Sequence, residues 1–176
     1  MQVGGRLVYS TCSLNPIENE AVVASVLRTF GTGCVRLVNC SDALPGLPRR
    51  PGLRTWGVWH RGGFHQTWEA LQERCWEKCP PLQSCFPPAD PAELADGDGG
   101  FHLEHCVRLM PHDLNGSGFF VAVLEKVLLT DTSRSMPPAC YSQTQLAFHA
   151  THVLLTDTSR SMPVAAVGWT LAVCHT

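Results

Sequence analysis

The order of apolar and polar positions near the start of the chain predicts a strand followed by a helix. Gly5 to Tyr9 is rich in apolar residues, as expected of a buried strand. A helix is predicted to begin next, because Asn15 can cap it, Pro16 suits its first position and Glu18 stands at the capping-box position.

The predicted helix has one face suited to packing on the strand, and a second strand follows it. Val22, Val26 and Phe30 recur at helical spacing, and Val35 to Asn39 has the composition of a short strand. A strand, a helix and a strand within roughly forty residues form a βαβ unit, which implies a parallel sheet with a right-handed crossover.

Two hairpins are predicted further along the chain. Thr55 to His60 and Phe64 to Trp68 flank a pair of glycines, which is typical of a hairpin. His105 to Met110 and Phe119 to Glu125 are two apolar runs on either side of a polar loop. The second of these runs is apolar enough to be buried on both faces.

The chain changes character after Lys126. The segment VLLTDTSRSMP occurs at 127–137 and again, identically, at 153–163. This repeat is too brief to stack as a solenoid, and neither copy has sustained periodicity. We therefore predict a folded region, 1–126, and a poorly ordered tail, 127–176, that is unrelated to it.

Composition limits the class of protein. A chain of 176 residues suits one domain, and its formal charge of −2 gives no overall attraction to nucleic acid. Nine cysteines, an odd number, and no secretory signal predict reduced thiols, hence an intracellular protein of the cytoplasm or the nucleus and nucleolus that is not secreted. No apolar run is long enough for a membrane span, so no membrane partner is expected.

Cys12 is the first candidate for chemistry. It follows the predicted strand and precedes the predicted helix, where open α/β sheets bind their ligands. A nearby helix N-terminus favours a thiolate, the nucleophilic form of cysteine. The alternative is a buried, inert cysteine in a core strand.

A family resemblance rests on the segment GGRLVYSTCSLNPIENE, at 4–20, and on shorter segments after it. These are LPGL at 44–47, PG at 51–52, FPP at 86–88, RLMPH at 108–112 and GFFVAVLEK at 118–126. Over about 4–126 the chain resembles the Sun/Nop-type (Fmu-like) RNA cytosine-5 methyltransferases. The order of segments is most similar to the eukaryotic Sun-family tRNA (cytosine-5) methyltransferase.

The resemblance implies a fold and a reaction. The expected fold is α/β, the C-terminal portion of a Rossmann-like methyltransferase sheet, with a parallel strand-helix-strand unit and then an antiparallel hairpin. The expected reaction is methylation of cytosine in RNA, with tRNA as the expected substrate, from S-adenosylmethionine, after Cys12 adds to C6 of the base.

Two parts of the family pattern have no match in the sequence. The glycine-rich cofactor turn and the Pro-Cys motif lie upstream of the matched segment in the family. We therefore expect 1–126 to be a partial catalytic domain without its cofactor-binding half, inactive as an isolated chain and with an exposed edge on its first strand. The alternatives are a non-catalytic RNA-binding or interaction fragment, and a nonfunctional splice or duplicate product.

A basic segment with interleaved aromatics is the candidate RNA-binding surface. No acidic residue occurs between Ala43 and Trp68. Arginines for phosphates and aromatics for base stacking suit single-stranded RNA. The alternative is a hairpin whose tryptophans, Trp56 and Trp59, pack inward while its arginines are solvated. The predicted RNA-binding residues are Arg49, Arg50, Arg54, Trp56 and Arg61.

A zinc site is the weaker interpretation of a cysteine-rich stretch. The cysteines are Cys75, Cys79 and Cys85, and the nearby histidines are His60, His65, His102 and His105. Their spacing lacks a paired CxxC, so the sequence favours incidental thiols and no metal.

Overall fold

The computed structural model of the chain describes residues 2–72, 81–127 and 153–154. Its strands are β1 (Arg6–Thr11), β2 (Val35–Leu37), β3 (Arg50–Pro51), β4 (Val58–His60), β5 (Gly63–His65), β6 (Val107–Leu109), β7 (Phe119–Lys126) and β8 (Val153–Leu154). Its α-helices are α1 (Glu20–Phe30), α2 (Trp68–Gln72) and α3 (Pro111–Leu114), and short 3₁₀ turns lie at Pro16–Glu18, Gln83–Cys85 and Leu103–His105.

The main sheet is built around β7. β1 pairs with β7 along its whole length, from Arg6 opposite Glu125 to Thr11 opposite Phe120. β6 and β2 share the other edge of β7, and β3 and β8 extend the sheet in the order β3-β6-β7-β1-β8. The mixed α/β class predicted from the sequence is confirmed.

The predicted parallel pairing of the first two strands is wrong, although the strand-helix-strand unit itself is present. β1 and β2 both run antiparallel to β7, so they point the same way but lie on opposite sides of it. The crossover through α1 therefore skips one strand position. A strand from much later in the chain fills that position, which local patterns cannot reveal.

The start of α1 differs in detail from the prediction. The side-chain oxygen of Asn15 accepts a hydrogen bond from the backbone N–H of Ile17 at 3.1 Å, as a cap does. However, Pro16–Glu18 forms a 3₁₀ turn, and the α-helix begins at Glu20.

The buried face of α1 also differs from the prediction. Val22 and Val26 are partly buried and pack against the core, as predicted, but Phe30 is 43% exposed. The fully buried stripe is Glu20, Ala21, Val23, Ala24 and Leu27. Two small alanines and a glutamate contribute little to a hydrophobic pattern. The sequence therefore indicated a face of the helix about one position away from the face that is buried.

β7 buries one face and not both, contrary to the prediction. Phe120, Ala122 and Leu124 are buried and join the core that contains α1. Val121 and Val123, on the other face, are only partly buried. The strand is therefore covered by a helix on one side in the described part of the chain.

Both hairpins are confirmed. β4 and β5 are joined by Arg61 and Gly62, which have φ values of 44° and 81°. A loop of two residues with positive φ is the type I′ turn that matches strand twist. β6 and β7 pair from Leu109 opposite Phe119, with α3 between them.

The outer edge of β1, predicted to be exposed, carries β8 over two residues. Val153 pairs with Tyr9 and Leu154 with Val8, and both come from the second copy of the repeat. The remaining tail residues, whose disorder was predicted, lie outside the described residues. Within the described ranges, no helix has the length and apolar character needed to cross a membrane.

Candidate functional site

Cys12 lies at the end of β1 and is exposed with a free thiol. The side chain before it, Thr11, is buried, and Ser13 after it begins the turn that leads to α1. The sequence predicted this placement between a strand and a helix. Its sulfur is therefore accessible to a substrate, whereas the sulfur of a cysteine buried in the core would not be.

The backbone around Cys12 is fixed by a polar network centred on Asn19. The hydroxyl of Thr11 donates to the side-chain oxygen of Asn19 at 2.6 Å, and the Asn19 amide donates to the carbonyl of Ser13 at 3.0 Å. Asn19 is fully buried. Buried and satisfied hydrogen bonds resist displacement, so the residues on both sides of the thiol are held in place.

A buried ion pair fastens the same loop to the rest of the domain. Arg108 of β6 donates to Glu20 of α1 through Nε to Oε1 at 2.6 Å and Nη2 to Oε2 at 2.5 Å. Its third nitrogen, Nη1, donates to the carbonyl of Leu14 at 2.9 Å. Glu20 also accepts from the backbone N–H of Leu53 at 2.8 Å. One arginine thus joins β6, the start of α1 and the loop after Cys12.

Sequence reasoning missed this pair, although both residues lie in segments that carried the resemblance. Glu20 follows the predicted cap and looked like an ordinary solvated helix residue. Arg108 stands in an apolar run, and an isolated charge at such a position is the signal that could have revealed it, because buried charges require partners.

Phe119 is an exposed aromatic residue next to the end of the β1–β7 ladder. Thr11, the last residue of β1, pairs with Phe120, so Cys12 follows β1 at the same end of the ladder at which Phe119 begins β7. Phe119 is 44% exposed, which leaves part of its ring free at this end of the ladder.

The predicted RNA-binding residues make different contacts within the described part of the chain. Arg49 donates to the carbonyls of Cys40 and Ser41. Trp56 is 6% exposed, and its Nε1 donates to the carbonyl of Cys85, so it belongs to the core. This is the inward packing that the alternative interpretation described for a tryptophan.

The remaining predicted arginines differ in how they are engaged. Arg50 donates to both oxygens of Asp113, and the guanidinium holds the pKa of that carboxyl below its usual range. Arg54 donates to the carbonyl of Leu94 and to Asp96. Arg61 is exposed at the tip of the β4–β5 turn.

The tip of the β4–β5 hairpin carries two exposed aromatic rings. Trp59 and Phe64 are directly opposite each other and are 59% and 70% exposed. Their rings meet edge to face, with centroids 4.9 Å apart. A Cβ at Gly57 would lie 3.2 Å from the Phe64 ring, so the glycine leaves room for this packing.

Comparison with known proteins identifies the relatives of the chain. No protein-family model matches it. It is 47% identical over 123 residues to the multisite-specific tRNA:(cytosine-C(5))-methyltransferase of Saccharomyces cerevisiae, covering 70% of this chain and 16% of that protein. The multisite-specific enzyme of Schizosaccharomyces pombe is 44% identical over 144 residues, covering 81% of this chain and 19% of that protein. The chain matches a segment of the Sun family of tRNA (cytosine-C5) methyltransferases.

A third relative agrees with the family resemblance found in the sequence. The tRNA (cytosine(34)-C(5))-methyltransferase of Drosophila melanogaster is 40% identical over 126 residues, covering 72% of this chain. The chain spans less than one fifth of the length of each of these Sun-family relatives, 16% to 19%.

Two cavities in the described part of the chain lie apart from Cys12. A cavity of about 670 Å³ is lined by residues from α1, α2 and the segment 83–93, and a smaller one by residues around Arg54 and His102. Neither is lined by Cys12 or its loop, and no residue of either is assigned to S-adenosylmethionine.

The structure describes one of the three cysteines that were considered as zinc ligands. Cys75 and Cys79 lie outside the described residues, and Cys85 is a free thiol whose pKa is raised by burial. Cys106 is fully buried, and burial likewise raises its thiol pKa. Both thiols therefore ionise less readily than an ordinary cysteine and are poorer nucleophiles.

Proposed function

We propose that this chain supplies the nucleophilic part of an RNA cytosine-5 methyltransferase site, with Cys12 as the nucleophile and tRNA as the RNA. The observation that carries the proposal is an exposed thiol between two residues that are fixed by buried hydrogen bonds. The names of the relatives, which specify tRNA and C5 of cytosine, support the choice of substrate. A nuclear or cytoplasmic location belongs to the same proposal.

The step assigned to the chain is formation of a covalent adduct. The Cys12 thiolate adds to C6 of the cytosine, and the electron pair of the C5–C6 double bond shifts to C5, where it is conjugated with the C4–N3 bond, which makes C5 nucleophilic. S-adenosylmethionine is the methyl donor that the resemblance implies. The described residues are assigned to the adduct step alone, and none of them is assigned to the cofactor.

Phe119 is proposed to hold the base beside the thiol. An exposed ring at the end of the ladder that Cys12 directly follows can stack on a flipped cytosine. Stacking restricts the ring plane without hydrogen bonding, which leaves C6 open to the sulfur.

The RNA-facing surface is proposed to be the tip of the β4–β5 hairpin, formed by Trp59, Arg61 and Phe64. Exposed rings next to a cationic side chain suit an unpaired RNA segment. Arg61 was also part of the sequence prediction. Trp56 was too, but it is buried, so the proposal replaces it with the exposed rings of Trp59 and Phe64.

Trapping with RNA that contains 5-azacytosine tests the nucleophile. We expect a stable protein–RNA adduct with the full chain and none with Cys12→Ala. Cys40→Ala is the matched control, because Cys40 is also a free and partly exposed thiol. An adduct that persists in Cys12→Ala would show that another residue is the nucleophile.

A second candidate is an RNA-binding segment that does not react. The exposed rings of Trp59 and Phe64 favour it, because stacking on bases requires no reactive group. In this case the chain binds single-stranded RNA but gives no adduct. Trp59→Ala should weaken binding by about 1–3 kcal/mol, the usual contribution of one stacked base. Phe30→Ala, which removes another exposed ring, is the control and should leave affinity unchanged.

A further inference from the structure

A cluster of two histidines and a glutamate lies at the 3₁₀ turn before β6, apart from the residues assigned to RNA. His102, Glu104 and His105 each place one ligand atom within 4.8 Å of the others. Leu103, the first residue of the turn, and Cys106, which follows the turn, are buried and anchor it to the core. The turn is therefore a fixed support for these three side chains.

The hydrogen bonds of His102 define which of its nitrogens carries a proton. Its Nε2 lies 2.9 Å from the carbonyl oxygen of Gly97, which can only accept, so Nε2 must donate. In a neutral ring Nδ1 then has a lone pair, and this atom lies 3.2 Å from Oε1 of Glu104. Two acceptors at that distance require a cation between them, either a proton or a metal ion.

The neighbouring histidine supplies an independent observation. Nδ1 of His105 is buried and has no hydrogen-bond partner among the described residues. A buried polar atom without a partner costs free energy unless something satisfies it. The ring of His105 is stacked on that of His102, with centroids 5.1 Å apart and planes at 10°.

The backbone at His102 is held in an uncommon conformation. Its φ of 49° and ψ of 46° lie in the left-handed region, which non-glycine residues seldom adopt. This conformation is what brings Nδ1 toward Glu104 while Nε2 faces Gly97.

The charges around the cluster favour the binding of a cation. Arg54 lies 4.0 Å from Oε2 of Glu104 and 3.2 Å from Asp96, so it engages the carboxylate oxygen that faces away from His102. With neutral histidines, the positive charge of Arg54 and the negative charges of Asp96 and Glu104 sum to −1 before any ion is added.

We propose that His102, Glu104 and His105 form a binding site for a divalent transition metal of the zinc class. Two imidazoles and a carboxylate suit Zn²⁺, whereas Mg²⁺ and Ca²⁺ prefer oxygen ligands alone. The hydrogen bond from Nε2 of His102 to Gly97 is the outer contact that orients a metal-bound histidine. Three protein ligands leave a fourth position for water.

Part of the geometry that the ion requires is already present. Ligand atoms about 2.0–2.1 Å from a tetrahedral zinc are roughly 3.4 Å apart. The His102–Glu104 pair, at 3.2 Å, is close to that spacing. The ligand atom of His105 lies within 4.8 Å of the other two, so its ring would move inward to complete the set.

Titration of the full chain, with its thiols reduced, by Co²⁺ tests the site. We expect saturable binding of one ion at micromolar concentration, with visible d–d absorption bands, no thiolate charge-transfer band, and displacement by Zn²⁺. His105→Ala and Glu104→Gln should each weaken binding by more than about tenfold, because loss even of an outer contact costs that much. His65→Ala, on the hairpin, should change nothing.

Four outcomes would overturn the proposal. They are a thiolate charge-transfer band, equal binding by the cluster variants, equal weakening by His65→Ala, and no saturable binding below millimolar concentration, which would mean that a proton alone joins His102 to Glu104. If a variant fails to fold, histidine ring NMR signals of the wild-type chain decide the matter. Two of the eight histidines should shift on Zn²⁺ addition, and a shift of none would exclude the site.

Discussion

The loop that carries Cys12 and the tip of the β4–β5 hairpin are both exposed, yet they are held in different ways. The hairpin depends on neighbours in sequence: a two-residue turn and two rings directly opposite each other. The Cys12 loop depends on Arg108, which lies far along the chain and reaches the carbonyl of Leu14. The thiol proposed to react with a base is thus held by the nearby Asn19 network together with a long-range contact, and the surface proposed to stack on bases is held by local contacts.

Removal of the buried charge partner should have the largest effect. Glu20→Gln leaves Arg108 buried without its counterion, which should lower the free energy of unfolding by about 3–5 kcal/mol. Chemical denaturation measures this loss. Glu18→Gln, exposed on the preceding turn, is the control and should change stability by at most about 0.5 kcal/mol. Similar losses in both variants would mean that the buried pair is not what fastens the loop.

A smaller loss is expected where two segments approach closely near the same ion pair. A Cβ at Gly52 would collide with the carbonyl oxygen of Leu103 and lie 2.8 Å from Cβ of Cys106. Gly52→Ala should therefore cost about 1–3 kcal/mol in thermal or chemical unfolding. Gly33→Ala meets no atom within 4 Å and should be close to neutral. If Gly52→Ala were equally neutral, the close approach would be relaxed in solution.

The hairpin should respond locally to a change in its turn. Gly62 has a φ of +81°, so Gly62→Ala should cost about 1 kcal/mol through the left-handed conformation. The fluorescence of Trp59 should change, while the rate at which a thiol reagent labels Cys12 should not. Gly63→Ala, with only ordinary contacts, is the control. Altered labelling of Cys12 in Gly62→Ala would show that the two regions are coupled.

The smallest effect concerns the exposed pair of Arg50 and Asp113. Because Arg50 lowers the pKa of Asp113, the pair stabilises the fold above the unfolded aspartate pKa of about 3.9 and loses this contribution as the pH falls through the lower, folded value. Asp113→Asn should therefore differ from wild type near neutral pH and converge with it in acid. High salt should reduce the difference, since exposed pairs are screened. Unfolding midpoints that differ equally at all pH values would contradict this.

The sequence predicts well what depends on neighbouring residues. The placement of Cys12 between a strand and a helix, the cap at Asn15 and both hairpins follow from local patterns and are present in the structure. The similarity to tRNA (cytosine-C5) methyltransferases also follows, because the signature around Cys12 is a continuous segment.

The rest depends on contacts that no local pattern contains. β7 enters between β1 and β2 from more than eighty positions away, so the predicted parallel pair was wrong. The RNA prediction counted Trp56, whose indole is drawn into the core by a hydrogen bond to Cys85. The sequence pattern alone does not say which of the two nearby tryptophans, Trp56 or Trp59, faces inward.

Arg108 also has a consequence for how the molecule opens. Its bonds to Glu20 and Leu14, together with the amide of Leu53 bound to Glu20, make three distant segments open together or not at all. Native-state hydrogen exchange should therefore give the Leu53 amide the same opening free energy as the central strand, although it lies in a loop. The Cys12 loop would then belong to the last cooperative unit of the domain to unfold.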